Sequence, residues 1–251
     1  MIIFAALFSF IQMIKLDILA FAAHPDDVEM SCGATIAKYT SQGKKVGIVD
    51  FTQGQMGTRG TPELRLKEAD KAAAILKLAV RENLGFEDIY FRNDIEHQTR
   101  VVEMIRKYQP EIILANAPKD RHPDHGKAAE LVKAAVFLSG LQKLSTVHNG
   151  EPQTPWRPRS VYHYIQSNML EPDFVEDVSN FWEQRNESIR AFASQFHDPD
   201  SEEPETFISS PEFMLMLDAR GKMLGQSIGA KFGEGFIVNR NLGVSDMFSL
   251  R

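Results

Sequence analysis

The sequence is poor in cysteine, lacks any glycine-rich phosphate loop, shows no excess of positive charge and holds one apolar run long enough to raise the question of a membrane. A single cysteine, Cys32, stands in 251 residues, which excludes an intrachain disulfide framework and a zinc centre made of thiolates alone. Lys and Arg number 28 against 34 Asp and Glu, interspersed, for a formal net charge of -6. No basic stripe is available to neutralise a phosphate backbone, so a nucleic-acid partner is disfavoured. No G-x-G-x-x-G follows a strand and no G-x-x-x-x-G-K-[ST] occurs, so the cradle for nucleotide phosphates is missing; "TQGQMGTRG" (52–60) supplies turns without that spacing. No G-x-S-x-G elbow offers a serine nucleophile.

The apolar run is "MIIFAALFSFIQ" (1–12). It has no basic segment ahead of it and is too short to span a bilayer, and the strand-like "IKLDILAF" follows almost directly. The expectation is an N-terminal apolar extension over 1–12, Met13 as the natural start, and one domain over 13–251 in a cytoplasmic protein without a membrane partner. A secreted form is the rival reading.

What is present is an ordinary globular composition, 43% apolar and 25% charged, and a length that supports a full core with a C-terminal elaboration. Strand candidates lie at 16–23, 45–52, 89–93, 111–118 and 161–166, and helix candidates at 33–43, 61–78, 97–108, 125–138, 179–194 and 211–224. Thr61 and Pro62 read as N-cap and first-turn residues, and Pro110 as a helix stop. The Pro-rich 148–159 and the acidic "HDPDSEEPET" read as loops, the latter a solvated rim. Alternating strands and helices predict an α/β fold, Rossmann-like, its mostly parallel sheet covered by helices on both faces.

Two polar clusters then stand out. "AFAAHPDDVEMSCGAT" (20–35) passes from a buried strand straight into His24, Asp26, Asp27 and Glu29, and "KDRHPDHG" (119–126) follows the strand "EIILANAP". Ligands of open α/β sheets sit beyond the carboxyl ends of the strands, so both clusters project from one edge. Either alone is well explained as a turn with an Asp cap; the two together point to a shared site. Imidazole and carboxylate suit Zn²⁺ and related ions, three protein ligands leave a position for water, and His24, Asp27 and His125 form such a set. A dication also offsets the repulsion between Asp26 and Asp27. His97, His148, His163 and His197 read as surface or structural residues, with His163 a candidate for the pocket wall, and Cys32 as a packing residue.

"AHPDDVEMSCGATIAKYTSQGKKV" with "RHPDH" resembles the LmbE-like (PIG-L) family of zinc-dependent de-N-acetylases, over about Leu16 to the "EGF" at 234–236. "TPELRLKEADKAAAIL", "DRHPDH" and "GKMLGQSIGAKFGEGF" resemble the branch that deacetylates N-acetylglucosaminyl-L-malate in bacillithiol biosynthesis. The resemblance implies metal on His24, Asp27 and His125, Asp26 as general base, and His122 as an imidazolium facing the developing oxyanion. It implies sugar contacts at Arg65 and Asp88 and malate contacts at Arg121 and Arg157, whose planar forks suit carboxylates. It implies Zn²⁺, with Fe²⁺ as the alternative ion, an amino-sugar substrate, and a homo-oligomer, trimer or hexamer. Two positions depart: "LGFEDIY" keeps Asp88 in an altered loop, and Phe213 stands where some members carry a mobile tyrosine. The rival readings are a de-N-acetylase of a lipid-linked or chitooligosaccharide conjugate, and a non-catalytic metal- or sugar-binding module.

Overall fold

The structure is a computed structural model that describes residues 14–249. The expected extension over 1–12 and the start at Met13 lie outside the described residues.

The strands are β1 (Ile18–Ala22), β2 (Val46–Thr52), β3 (Val80–Phe86), β4 (Ile112–Ala115), β5 (Val147–His148), β6 (Glu151–Pro152), β7 (Ser160–Tyr164), β8 (Phe174–Asp177) and β9 (Gly233–Val238). The helices are α1 (Asp27–Ser41), α2 (Pro62–Ile75), α3 (Ile95–Tyr108), α4 (Pro123–Ser139), α5 (Trp182–Arg190) and α6 (Pro211–Ser227). Seven strands form one sheet in the order β3-β2-β1-β4-β7-β9-β8. The run from β3 to β7 is parallel, and β9 and β8 close the edge antiparallel. The chain therefore winds outward from β1 to β3, then crosses back to place β4 on the other side of β1. That reversal opens a crevice between the carboxyl ends of β1 and β4.

The central strands bury both faces, and the alternation of side chains sorts them into two cores. Leu19 and Phe21 of β1 pack with Val49, Phe51 and Ile113 against Val101, Ile105, Leu131 and Val132 of α3 and α4. Ile18, Ala20 and Ala22 pack with Ile48 and Leu114 against Val28, Ile36 and Ala37 of α1. A third cluster joins α2, α5 and α6 through Ala69, Ala72, Ile189, Phe192, Phe213 and Leu217. Helix caps are local: Thr61 accepts from Leu64 N at 3.2 Å, with Pro62 opening α2, and Asp94 accepts from His97 N at 3.1 Å ahead of α3.

Several expectations are corrected. The strand expected over 89–93 is a turn, with Ile89 at φ 68. The strand is instead "VRENLGF", whose charges hide it: Arg81 is buried against Asp50 and Glu29 at 2.8 and 2.5 Å. Helix α1 begins at Asp27 rather than Gly33, because its two halves meet across a break at Cys32, φ -145. Strands β8 and β9 were not expected, the first being short and the second holding two glycines, a residue that β-structure disfavours. The loop over 148–159 contains a small hairpin, β5 with β6, turned by Asn149 and Gly150 at φ 51 and 83. Ser201 and Glu203 of the acidic loop are tied down, accepting from Arg59 Nη2 and Gly60 N at 2.9 Å each.

Candidate active site

Most of the acidic and histidine side chains of the crevice lie just beyond the carboxyl end of a parallel strand. His24, Asp26 and Asp27 follow β1, Asp88 follows β3, Asn116 and Asp120 follow β4, and Gln166 follows β7. His122 and His125 open α4, whose first turn points at the same place. His24, Asp26, Asp27, Asp88, His122, His125 and Gln166 line a cleft of about 300 Å³, and Asn116 and Asp120 stand behind it.

Within it, three donors face one another. His125 Nδ1 lies 2.6 Å from Asp120 Oδ2, which directs Nε2 to 3.1 Å from Asp27 Oδ1. His24 Nε2 lies 3.1 Å from Asp88 Oδ1 and 3.5 Å from Asp124 Oδ2, which turns Nδ1 toward Asp27 Oδ2 at 3.8 Å. A carboxylate behind each imidazole is the arrangement that orients histidine ligands of a metal. The Asp27 carboxylate is itself held by Gln166 Nε2, Asn116 Nδ2 and the amide of His24, all at 3.0 Å. One ligand atom each from His24, His122 and His125 falls within 4.8 Å of the others, and a second trio, His24, Asp88 and Asp124, shares the far edge of His24. These donors, hard oxygen and borderline nitrogen, fit a divalent ion.

The charge balance points the same way. Burial lowers the pKa of His24, but hydrogen bonds to Asp124 and Asp88 and the charge of Asp27 outweigh it and raise the value to about 10. His125 is likewise raised, to about 9, by Asp27 and Asp120 against burial. Asp27 falls well below the usual carboxylate range because the two imidazoles overcome its burial. The pocket thus draws in positive charge, which a dication supplies in place of two protons.

Asp26 is different in kind. It occupies the N-cap of α1 at φ 114, a left-handed value rare for a side chain other than glycine, and makes no side-chain cap bond. Its Oδ2 instead accepts from Arg65 Nη2 at 2.9 Å, and Arg65 also donates to Pro25 O at 2.7 Å. Burial, with the charge of Asp27, raises its pKa to about 7 against the pull of Arg65. Arg65 reaches this place past Gly54, where a Cβ would lie 1.9 Å from Nη1. His122 differs from the expected imidazolium: its Nδ1 accepts from Asp124 N at 3.3 Å, and burial with the neighbouring imidazoles lowers its pKa to about 4. The ring is therefore a neutral Nε2–H donor.

Of the expected substrate contacts, Arg65, Asp88 and Arg121 line the cleft. Asp88 Oδ2 also accepts from Met56 N at 2.9 Å, and the exposed Arg121 covers Phe207 with 4.2 Å between guanidinium and ring centroid. Arg157 is not brought to the site. Its guanidinium sits 5.4 Å from the ring of Phe137 near the end of α4, and that helix of 17 residues puts about 25 Å between its two ends. Arg157 precedes β7 and so lies at the opposite edge of the sheet. Phe213 is buried in the cleft wall, packed on Phe196 and Phe207. His163 is a structural residue, its Nδ1 2.8 Å from Asn116 O. Sequence reasoning missed Asp120, Asp124, Asn116, Gln166 and Arg220. The first two stand inside "KDRHPDHG", and Asn116 and Gln166 close strands that were recognised, so the sheet-edge rule could have found four of the five.

Known proteins resemble this chain in sequence and fold. Residues 19–136 match the family described as PIG-L: GlcNAc-PI de-N-acetylase. The diacetylchitobiose deacetylase of Thermococcus kodakarensis is 31% identical over 189 residues, 71% of this chain and 70% of the relative. The 1D-myo-inositol 2-acetamido-2-deoxy-alpha-D-glucopyranoside deacetylase of Thermobifida fusca is 24% identical over 238 residues, 69% of this chain and 81% of the relative. Among solved structures, a conserved protein from Thermus thermophilus superposes with a TM-score of 0.82 at 33% identity, over 92% of this chain and 98% of its own. On the match over 19–136 and a relative 31% identical across 71% of its length, the chain belongs to the PIG-L (LmbE-like) family of de-N-acetylases.

Proposed function

We propose that the protein hydrolyses the acetamide of an N-acetylglucosamine conjugate with the help of a divalent metal, Zn²⁺ or alternatively Fe²⁺, and that the conjugate is N-acetylglucosaminyl-L-malate. One observation carries the reading: His24, Asp27 and His125 converge while Asp26, the neighbour of Asp27, stays outside that set and pairs with Arg65. A pure binding site has no use for a second carboxylate held near neutrality.

In this reading His24 Nδ1, an oxygen of Asp27 and His125 Nε2 hold the ion. When bound, it polarises the amide carbonyl and lowers the pKa of water. Asp26 takes the proton of the attacking water and returns one to the leaving amine. Arg65 orients Asp26 and opposes the rise of its pKa. His122 donates Nε2–H to the oxygen of the tetrahedral carbon, a contribution of about 3 kcal/mol for one good donor. Each oxygen of Asp88 already accepts one hydrogen bond and keeps a lone pair for a sugar hydroxyl. Arg121 forms no ion pair among the described residues and stands at the mouth, the place for an aglycone carboxylate.

The test is amine release from N-acetylglucosaminyl-L-malate beside N-acetylglucosamine, N,N'-diacetylchitobiose and a lipid-linked glycoside, with metal content measured in parallel. The malate conjugate is expected to turn over fastest, and His125→Ala to lose its metal. Preference for a glycoside without a carboxylate removes the malate assignment and leaves the chemistry standing.

A further inference from the structure

Helix α1, which carries Asp27, is broken in a specific way. In a continuous helix the amide of Ala34 bonds the carbonyl of Met30, and the amide of Thr35 that of Ser31. Here those amides donate to Glu234 instead, Ala34 N to Oε1 at 3.0 Å and Thr35 N to Oε2 at 2.7 Å. The released Met30 carbonyl accepts from two guanidinium groups, Arg185 Nη2 at 2.6 Å and Arg220 Nη2 at 2.9 Å. Arg185 and Glu234 are 0% and 4% exposed. One buried carboxylate thus caps the second half of α1, and two arginines close the first.

Arg220 does a second thing. Its Nη1 donates to the carbonyl of Gln166, and Gln166 is the residue whose Nε2 holds Asp27 Oδ1. A single planar fork therefore ties the turn bearing Asp27 to the residue that orients its carboxylate, while Arg220 lines the cleft. An unbroken helix satisfies the same backbone groups without burying charge, which is costly. The break is kept against that cost, and its effect is to set the direction of the first turn of α1 apart from the rest of the helix.

We infer that Arg220, supported by Arg185 and Glu234, is a positioning residue that fixes Asp27 for metal binding. The inference rests on the metal-dependent reading above and adds to it a residue of α6 that bonds both the turn bearing Asp27 and the residue holding its carboxylate.

The experiment compares full-length wild type with Arg220→Lys and Arg220→Met. Zn²⁺ affinity is measured by competition with a chromogenic chelator, kcat and KM by amine release, and folding by the cooperativity of the thermal melt. Lysine keeps the charge but has no fork to span both carbonyls, so Arg220→Lys is expected to melt cooperatively and bind Zn²⁺ about tenfold more weakly, the lower end of the range for residues that orient ligands. Arg220→Met is expected to bind more weakly still, with kcat falling more than KM rises. If Arg220→Met fails to fold, Arg220→Lys decides the matter alone. Unchanged Zn²⁺ affinity in a folded variant, or a rise confined to KM, overturns the inference and makes Arg220 a filler or a substrate contact. Wild type that binds no Zn²⁺ ends the metal-dependent reading itself, whereas binding that is equal in wild type and variants ends only the role of Arg220.

Discussion

Asp26 opens α1 without capping it, and this leaves its carboxyl for Arg65 and the cleft. Burial, against the charge of Arg65 and with that of Asp27, places its pKa at about 7, and a dication bound as proposed would pull it lower. A base works only when deprotonated, so kcat/KM is expected to rise with pH along an acid limb centred below about pH 7. Asp26→Asn should abolish that limb and cut kcat by about 10² to 10⁴-fold while keeping the metal; a limb that survives the substitution belongs to another group. The arginines make a second contrast. Arg121→Ala is expected to raise KM for the malate conjugate about tenfold, the scale of one charge-assisted hydrogen bond, and Arg157→Ala to leave it unchanged, since Arg157 lies at the other end of α4. Equal effects of the two would place the aglycone elsewhere. At this scale the site was legible where residues follow a strand end in an unusual polar run, as His24, Asp26, Asp27, His122 and His125 do. Arg220 was not, because nothing in "LDARGKML" distinguishes an arginine that bonds two carbonyls from one on a solvated face.

Elements were legible where apolar periodicity is strong and lost where charge is buried inside them. β1, β2 and β4 were read from their apolar runs, whereas β3 was displaced because Arg81 and Glu82 look exposed in sequence and the apolar "IYF" nearby looks like a strand. The C-terminal end of α4 shows the same physics in a loop. Arg106 of α3, 1% exposed, donates to the carbonyls of Ser139, Leu141 and Leu144 and to the hydroxyl of Thr146 at 2.7 to 3.0 Å. Of these, only the Ser139 carbonyl belongs to α4; those of Leu141 and Leu144 lie in the loop beyond it. Arg106→Met keeps much of the stem but removes these bonds, leaving Ser139 O and Leu141 O only their backbone donors Trp156 N and Leu144 N, so a loss of about 3 kcal/mol in urea unfolding is expected. A loss under about 1 kcal/mol would mean that water replaces the guanidinium. The α5–α6 contact is as tight: a Cβ on Gly221 would lie 2.2 Å from the ring of Trp182, and Gly221→Ala is expected to cost about 2 kcal/mol by overpacking.

At the scale of the whole molecule, the sheet, its parallel centre and the shared edge followed from the alternation of elements, and among the described residues no helix is long and apolar enough to cross a membrane. The coupling of site to stability was not legible, because it depends on which carboxylate stands behind which imidazole. With Asp88 and Asp124 behind His24, and Asp120 behind His125, the folded chain without metal binds two protons more tightly than the unfolded chain, pKa values of about 10 and about 9 against 6.5. A group raised in this way stabilises the fold fully below its unfolded pKa, and the contribution disappears as pH rises through the folded value. The metal-free protein is therefore expected to lose stability steadily from about pH 6.5 to about pH 10. The Zn²⁺-loaded protein has imidazoles that must be neutral to ligate, so it escapes this loss and instead releases the ion as pH falls. The rise in Tm on loading should accordingly be small near pH 5 and largest near pH 9, roughly, with free Zn²⁺ buffered at one level throughout. His125→Gln should flatten part of the alkaline decline of the metal-free protein. A Zn²⁺-dependent increment that stays flat between about pH 6.5 and pH 9 would show that the two imidazoles are neutral in the metal-free fold, and that the carboxylates behind them orient the rings without charging them.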